Sequence, residues 1–295
     1  MQKPAPEYSV DLVLHPAHDT TYVHFENGAA HPFQPDPHGF PRVNSWWLAE
    51  SALLSYWNPD DAIRIFRASG LESEYIQKDS TDCYVAWQQN SVVVAFRGTE
   101  PDQWQDILSD ANIPLVPWPV GHVHWGFKNA LDEVWPELKS VLGRLAVGRT
   151  VWFCGHSLGA AIATLAADRY PAARGVCTFG SPRVGDQAFA AHFKAKLPNR
   201  TLRYVNDHDV VTHVPPPLGY RHVDERRFIA PDGHVSDGAP SLAHFFADLI
   251  GRPQQLLETI NGLGHGTLRT APVFLLDHMP KAYAIWTWND YDANG

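Results

Sequence analysis

The apolar positions of this chain change period several times, and each change marks an element. Trp46, Leu48, Leu53 and Trp57 follow a capping Asn44 or Ser45, which predicts a helix over residues 44–57. Asn58-Pro59-Asp60-Asp61 opens a second helix, and Gly70 stops it. Residues 84–87 and 92–96 are short β-rich runs around Gln88-Gln89-Asn90, the pattern of a hairpin. Phe127, Leu131, Val134, Leu138, Val141, Leu142 and Leu145 then recur at helical spacing, with Pro136 expected to bend the helix. Apolar runs at 151–154, 176–179 and 202–205 alternate with helical segments at 160–170 and Gln187–Lys196. Strand and helix in alternation predict an α/β fold, a mostly parallel sheet covered on both faces. Right-handed crossovers favour a doubly wound arrangement. The stretch before Pro41, rich in Pro and His, reads as loop with short strands. Pro231-Asp232-Gly233 reads as a turn between two short runs, and residues 241–250 as a helix. No linker divides the chain, so residues 1–295 are expected to form one domain.

The most informative local pattern is Gly155-His156-Ser157-Leu158-Gly159. An apolar strand runs into it and the small-residue helix Ala160-Ala161-Ile162-Ala163 runs out of it. That strand–turn–helix setting is what a nucleophilic serine on a strained elbow requires. Its neighbours must be small so that strand and helix can approach closely. The N-terminus of the following helix then faces the site and favours negative charge there.

Composition narrows the alternatives. A chain of 295 residues, 44% hydrophobic and 19% charged, can bury a large core, which argues against disorder. Its net charge of -9 offers no basic footprint, so nucleic acid is not an expected partner. Cys83, Cys154 and Cys177 are too few and too apolar in context for a disulfide framework and read as buried thiols. Residues 1–10 lack the apolar stretch of a secretory signal, and no run of ~18 apolar residues occurs. The expectation is a cytoplasmic chain without a transmembrane segment, with export by another route left open. His122 and His124 alone make a weak metal pair, Asp207, His208 and His213 are explained equally well by packing, and no phosphate loop or dinucleotide fingerprint is present. No metal or cofactor is expected.

In combination, several stretches resemble the fungal-type (class 3) triacylglycerol lipase family of the α/β-hydrolase superfamily. They are Phe96-Arg97-Gly98-Thr99, Val123-His124-Trp125-Gly126-Phe127, residues 155–159, residues 206–217 and Asp277-His278, and the resemblance extends over residues 46–286. It implies Ser157 as nucleophile, a carboxylate after the 202–205 strand, and a late histidine base. Asp207 and Asp209 both qualify as the acid, and the family pattern favours Asp209, which precedes Val210-Val211. His278 fits the base, ahead of a helix carrying Tyr283 and Trp286, with His244 and His265 as rivals. His156 is expected to point away from Ser157, and His124 to support the site structurally. The oxyanion hole would use the backbone N–H of Leu158 and the N–H and hydroxyl of Thr99.

Residues 101–119 follow that oxyanion loop. Trp104, Ile107, Leu108 and Ala111 lie at helical spacing, and in the resembling family a short helical lid occupies this place. The resemblance implies a carboxylic ester hydrolase, foremost a triacylglycerol lipase, acting on ester or lipid substrate at a lipid–water interface. A phospholipase or feruloyl-type esterase on the same triad is the alternative, and a non-catalytic ligand-binding protein of this fold a more distant one.

Overall fold

The computed structural model describes residues 1–98, 114–224, 226–238 and 273–295. The 241–250 helix, His244 and His265 lie outside them.

Helix α1 (Val10–Leu14) and two single 3₁₀ turns, at Pro16–His18 and Gly28–Ala30, occupy the N-terminal stretch. These replace the short strands expected there, where Pro4, Pro6 and Pro16 withhold the N–H groups that a strand ladder needs. Helix α2 (Arg42–Leu54) starts two residues earlier than Asn44, with Pro41 at its N-cap. Helix α3 (Pro59–Ala68) begins as read: Asn58 Oδ1 accepts the N–H of Asp61 at 3.0 Å. Strands β1 (Glu72–Lys78), β2 (Thr81–Trp87) and β3 (Ser91–Phe96) form an antiparallel meander. Strand β1 was not foreseen, because its sequence ESEYIQK is polar; it lies at the sheet edge and only Ile76 is buried.

A two-stranded ribbon, β4 (Leu115–Pro117) and β5 (His122–His124), leads into the long helix α4 (Trp125–Leu145). The chain then alternates through β6 (Thr150–His156), α5 (Leu158–Arg169), β7 (Ala173–Phe179), α6 (Gln187–Lys196) and β8 (Thr201–Asn206). Strands β9 (Arg226–Ile229) and β10 (Val235–Asp237), then helices α7 (Val273–Leu276) and α8 (Pro280–Asn294), complete the described elements.

The eight-stranded sheet has the order β1-β2-β3-β6-β7-β8-β9-β10, parallel from β3 to β9 and antiparallel at both margins. Helices cover both faces, yet the sheet is not doubly wound. From β3 onward each strand joins on the same side, so right-handed crossovers place α4, α5 and α6 on one face. The opposite face is covered by α2, α3 and α8, which lie outside those crossovers. Alternation along β6 serves both layers: Trp152 and Cys154 point to the α2/α8 side, Val151 and Phe153 to the α4/α5 side. Helix α8 sets Trp288 edge-to-face against Trp46 of α2 with ring centroids 4.6 Å apart. The first residues fasten it from outside: Trp288 Nε1 donates to Met1 O, and Lys3 and Asn289 exchange two hydrogen bonds.

Candidate active site

The end of β6 and the start of α5 form a tight elbow around Ser157, whose backbone sits at φ 58°, ψ -128°. That conformation is rare for a residue with a Cβ and is held only where its surroundings over-determine it. Here the Ser157 N–H donates to Phe179 O on the neighbouring strand at 3.0 Å. A Cβ on Gly155 would come within 2.3 Å of the Gly159 backbone, and one on Gly159 within 2.2 Å of Phe96 O. Only glycine fits at either place, which explains the spacing of the motif. Leu158 is the first residue of α5, where backbone N–H groups have no partner within the helix.

His278 and Asp209 meet beside this elbow, although 69 residues separate them. His278 Nδ1 lies 2.8 Å from both carboxylate oxygens of Asp209, and both side chains are wholly buried. Asp209 follows β8 and caps a 3₁₀ turn at Val210–His213, accepting the Val211 N–H at 3.0 Å. Its other oxygen accepts the Tyr283 hydroxyl at 2.5 Å. Burial, then the Asp209 charge, raise the Tyr283 hydroxyl well above its ordinary range, so it remains a donor. That hydroxyl accepts the Asn206 N–H at 3.1 Å. With both oxygens engaged, Asp209 is held facing one imidazole nitrogen.

Two contacts bring the dyad to Ser157. Gly180 follows Phe179, the acceptor of the Ser157 N–H, and an added Cβ there would meet Asp209 Oδ2 at 2.7 Å and His278 Nδ1 at 2.8 Å. His156, next to Ser157, lays its ring against that of His278 with centroids 4.3 Å apart. His156 Nε2 donates to the His278 carbonyl at 2.8 Å; a carbonyl can only accept, so Nε2 carries the proton. Its Nδ1 then accepts the Tyr56 hydroxyl at 2.8 Å. Burial, then the proximity of His278, lower the His156 pKa well below the ordinary histidine value. His156 is thus a neutral strut between α2's end and the His278 backbone, a larger part than pointing away from Ser157. Arg183 also acts from behind the site, donating to the carbonyls of His213 and Pro215 beyond Asp209.

The sequence left Asp207 open, and the structure separates it from the dyad. Asp207 pairs with His208 at 2.8 Å, while Asp209 reaches His278. Asp207, His208 and Asp277 place one ligand atom each within 4.8 Å of one another; His213 is not in that group. Asp277 accepts the His208 N–H at 3.2 Å, and burial, then the Asp207 charge, push its carboxyl up to about 7. His124 serves as helix cap: its Nδ1 accepts the Phe127 N–H at 3.3 Å and its ring stacks on Phe127. His122 pairs with Asp186 at 3.0 Å. Cys83, Cys154 and Cys177 are free and buried. Thr99, Trp104, Ile107 and Leu108 lie outside the described residues; of the 101–119 segment, residues 115–117 form β4 against β5. Among the described residues, no helix is long and apolar enough to cross a membrane.

Sequence reasoning missed Tyr283 as a partner of Asp209, along with Gly180 and Arg183. The signals were faint: a Tyr among the apolar positions of α8, and a Phe179-Gly180-Ser181-Pro182-Arg183 string leaving a strand end.

Comparison with known proteins agrees with this geometry. The family model described as "Lipase (class 3)" matches residues 93–219. A "Lipase" of Rhizomucor miehei is 34% identical over 155 residues, 48% of this chain and 42% of that protein. A "Secreted mono- and diacylglycerol lipase A" of Penicillium cyclopium is 32% identical over 222 residues, 62% of this chain and 70% of that one. The chain spans about half the length of the curated relatives it matches. The crystal structure of a mono- and diacylglycerol lipase from Aspergillus oryzae superposes with a TM-score of 0.60 at 23% identity, covering 75% of this chain and 94% of that one, which establishes the common fold. The α/β-hydrolase fold, the elbow at Ser157 and the extent of the match to the Penicillium protein together make this chain a member of the class 3 lipase family.

Proposed function

We propose that this protein, as a single domain, hydrolyses carboxylic esters through an acyl-serine intermediate, with acylglycerols as its substrate class. The observation that carries the reading is the buried Asp209–His278 pair abutting the elbow of Ser157. Ser157 Oγ attacks the ester carbonyl carbon while His278 Nε2 takes its proton. Asp209 keeps the His278 proton on Nδ1, so Nε2 is the basic nitrogen, and stabilises the imidazolium that forms. The oxyanion develops at the N-terminus of α5, where the N–H of Leu158 donates; Thr99 is the second proposed donor. His278 returns the proton to the leaving alkoxide. Water, deprotonated by the same imidazole, then cleaves the acyl-serine and restores Ser157.

The acylglycerol preference rests on the relatives named as mono- and diacylglycerol lipases. The same names favour action outside the cell over the cytoplasmic site expected from the N-terminus, and fractionation of the native source decides between them. Residues 101–119, with Trp104, Ile107 and Leu108, are proposed as a lid that opens at a lipid surface. A rate that jumps at the solubility limit of a sparingly soluble ester, and jumps less in Trp104→Ser, supports the lid; a smooth saturation curve removes it.

The test of the main reading is a chromogenic ester panel of increasing acyl length, run on the wild type and Ser157→Ala. Activity on esters, absent from a folded Ser157→Ala protein, is expected. A covalent serine inhibitor should label the peptide carrying Ser157 once. Full activity in the variant, or labelling elsewhere, overturns the assignment.

A further inference from the structure

A pocket lies at the opposite end of α5 from Ser157. The helix has 12 residues, so at ~1.5 Å rise each the two sites are about 17 Å apart along it. The pocket has a volume of about 410 Å³. That is within the ~300–1,000 Å³ range of small-molecule sites. Its lining includes the apolar turn 117–120, in which Trp118 is largely buried and Val120 is 41% exposed. The rest of the lining is Lys128, Asp168, Arg169, His192 and Lys196.

These groups are held in place by one another. Asp168 is buried, and its carboxylate accepts Trp118 Nε1 at 2.7 Å. The other carboxylate oxygen lies 3.2 Å from His192 Nε2 and 3.7 Å from Lys196 Nζ, and Lys196 also donates to the Asp168 carbonyl. Arg169 is pressed between the rings of Trp118 and Trp135, with its guanidinium 4.7 and 5.1 Å from their centroids. Arg169 and Lys128 both reach Asp132, at 2.7 and 2.5 Å.

We propose that this pocket binds an anionic amphiphile, a carboxylate or phosphate monoester carried on one apolar chain. Three cationic side chains line it against Asp168, with Asp132 behind Lys128 and Arg169, so cations exceed carboxylates by one in a chain whose net charge is -9, and the local field favours anions against the molecule's general repulsion. Asp168 Oδ2 takes the Trp118 indole N–H, and Oδ1, which accepts no hydrogen bond among the described residues, is faced by His192 and Lys196, so the buried carboxylate has cations of its own beside it. The ordered ammonium and guanidinium groups bind an oxyanion without first losing rotamer freedom. An inorganic anion would use only the cationic groups. An apolar chain laid along Trp118 and Val120 removes that surface from water as well. The site is separate from the ester chemistry, and its chemistry follows from its own lining.

The experiment is calorimetric titration of the Ser157→Ala protein with octanoate and with octyl phosphate, each below its micelle concentration. One saturable site is expected, and the tighter of the two head groups identifies the natural one. The Lys128→Gln/Lys196→Gln double variant should weaken binding at least tenfold, and Lys196→Arg should retain it. Ester hydrolysis, measured with the nucleophile intact, should stay within twofold of wild type in all of them. Binding unchanged in the double variant would place the amphiphile elsewhere and overturn the proposal. So would equal affinity for octyl glucoside, which has no charge, or for inorganic phosphate, which has no chain.

Discussion

Gly180→Ala puts one methyl group at the junction of the three proposed catalytic residues. Gly180 has φ +59°, and the added Cβ would lie 2.7 Å from Asp209 Oδ2 and 2.8 Å from His278 Nδ1 and Cε1. Ordinary contact begins near 3.4 Å, so carboxylate and imidazole must retreat by roughly 0.6–0.7 Å. A misplacement of about 1 Å in a catalytic constellation costs on the order of 10²-fold. Complete loss of the acid's function costs about 10⁴-fold in a comparable triad. The expected fall in kcat/KM therefore lies between ~10- and ~1,000-fold. Alanine in the left-handed region adds about 1–2 kcal/mol of strain, a decrease of several degrees in Tm. The assay is kcat/KM on a soluble short-chain ester beside a thermal melt, with activity read well below the lowered Tm. A folded variant retaining more than a third of wild-type kcat/KM would refute the reasoning, because it would mean the dyad does not press on this glycine.

The other expectations concern the neighbours of that dyad. Tyr283→Phe removes one donor from buried Asp209 and leaves the Asn206 N–H without its acceptor; a loss of about 1–3 kcal/mol in stability and a measurable drop in kcat are expected from melts and steady-state kinetics. Asp209→Asn should lower kcat/KM by about 10⁴-fold, whereas Asp207→Asn, which touches His208 and not His278, should lower it less than tenfold; the reverse order would transfer the acid role to Asp207. Asp277 has its carboxyl raised by burial and by Asp207 to about 7, above the unfolded value. Its contribution to stability is therefore fully present below pH ~4 and lost as pH rises through about 7. Asp277→Asn should flatten the Tm–pH profile across that window and be at least as stable as wild type at pH 8. An unchanged slope would show that another group governs it.

Much of this arrangement was legible because it is local. The α4 stripe from Phe127 to Leu145, the β6–elbow–α5 transition and the Asn58 cap each occupy a few consecutive turns of chain, where period and residue type decide the outcome. The proposed base and acid were read only with the help of family pattern, since nothing local distinguishes Asp209 from Asp207. What escaped is non-local. Tyr283 meets Asp209 across 74 residues, and its helix is buried almost all round, so it offers no polar face to read. The role of His156 depends on the ring of His278, 122 residues away. Winding direction was misjudged because the cover of the second face comes from α2 and α8, outside the alternating pattern. Strand β1 escaped for the opposite reason: at an edge, a polar sequence can pair without burying much.

The attachment of α8 has a consequence for how this molecule fails. His278 enters the site on the segment leading into α8, which rests on α2 through Trp46 and Trp288 and is fastened from outside by Met1 and Lys3. Ser157 and Asp209, by contrast, leave the ends of β6 and β8, parallel strands on either side of β7 near the sheet's centre. Heat or denaturant that loosens the outer layer detaches His278, the proposed base, while the strands remain paired. Inactivation should therefore precede the loss of sheet signal. Along a denaturation curve, the enzyme would report the docking of a peripheral helix rather than the melting of its core.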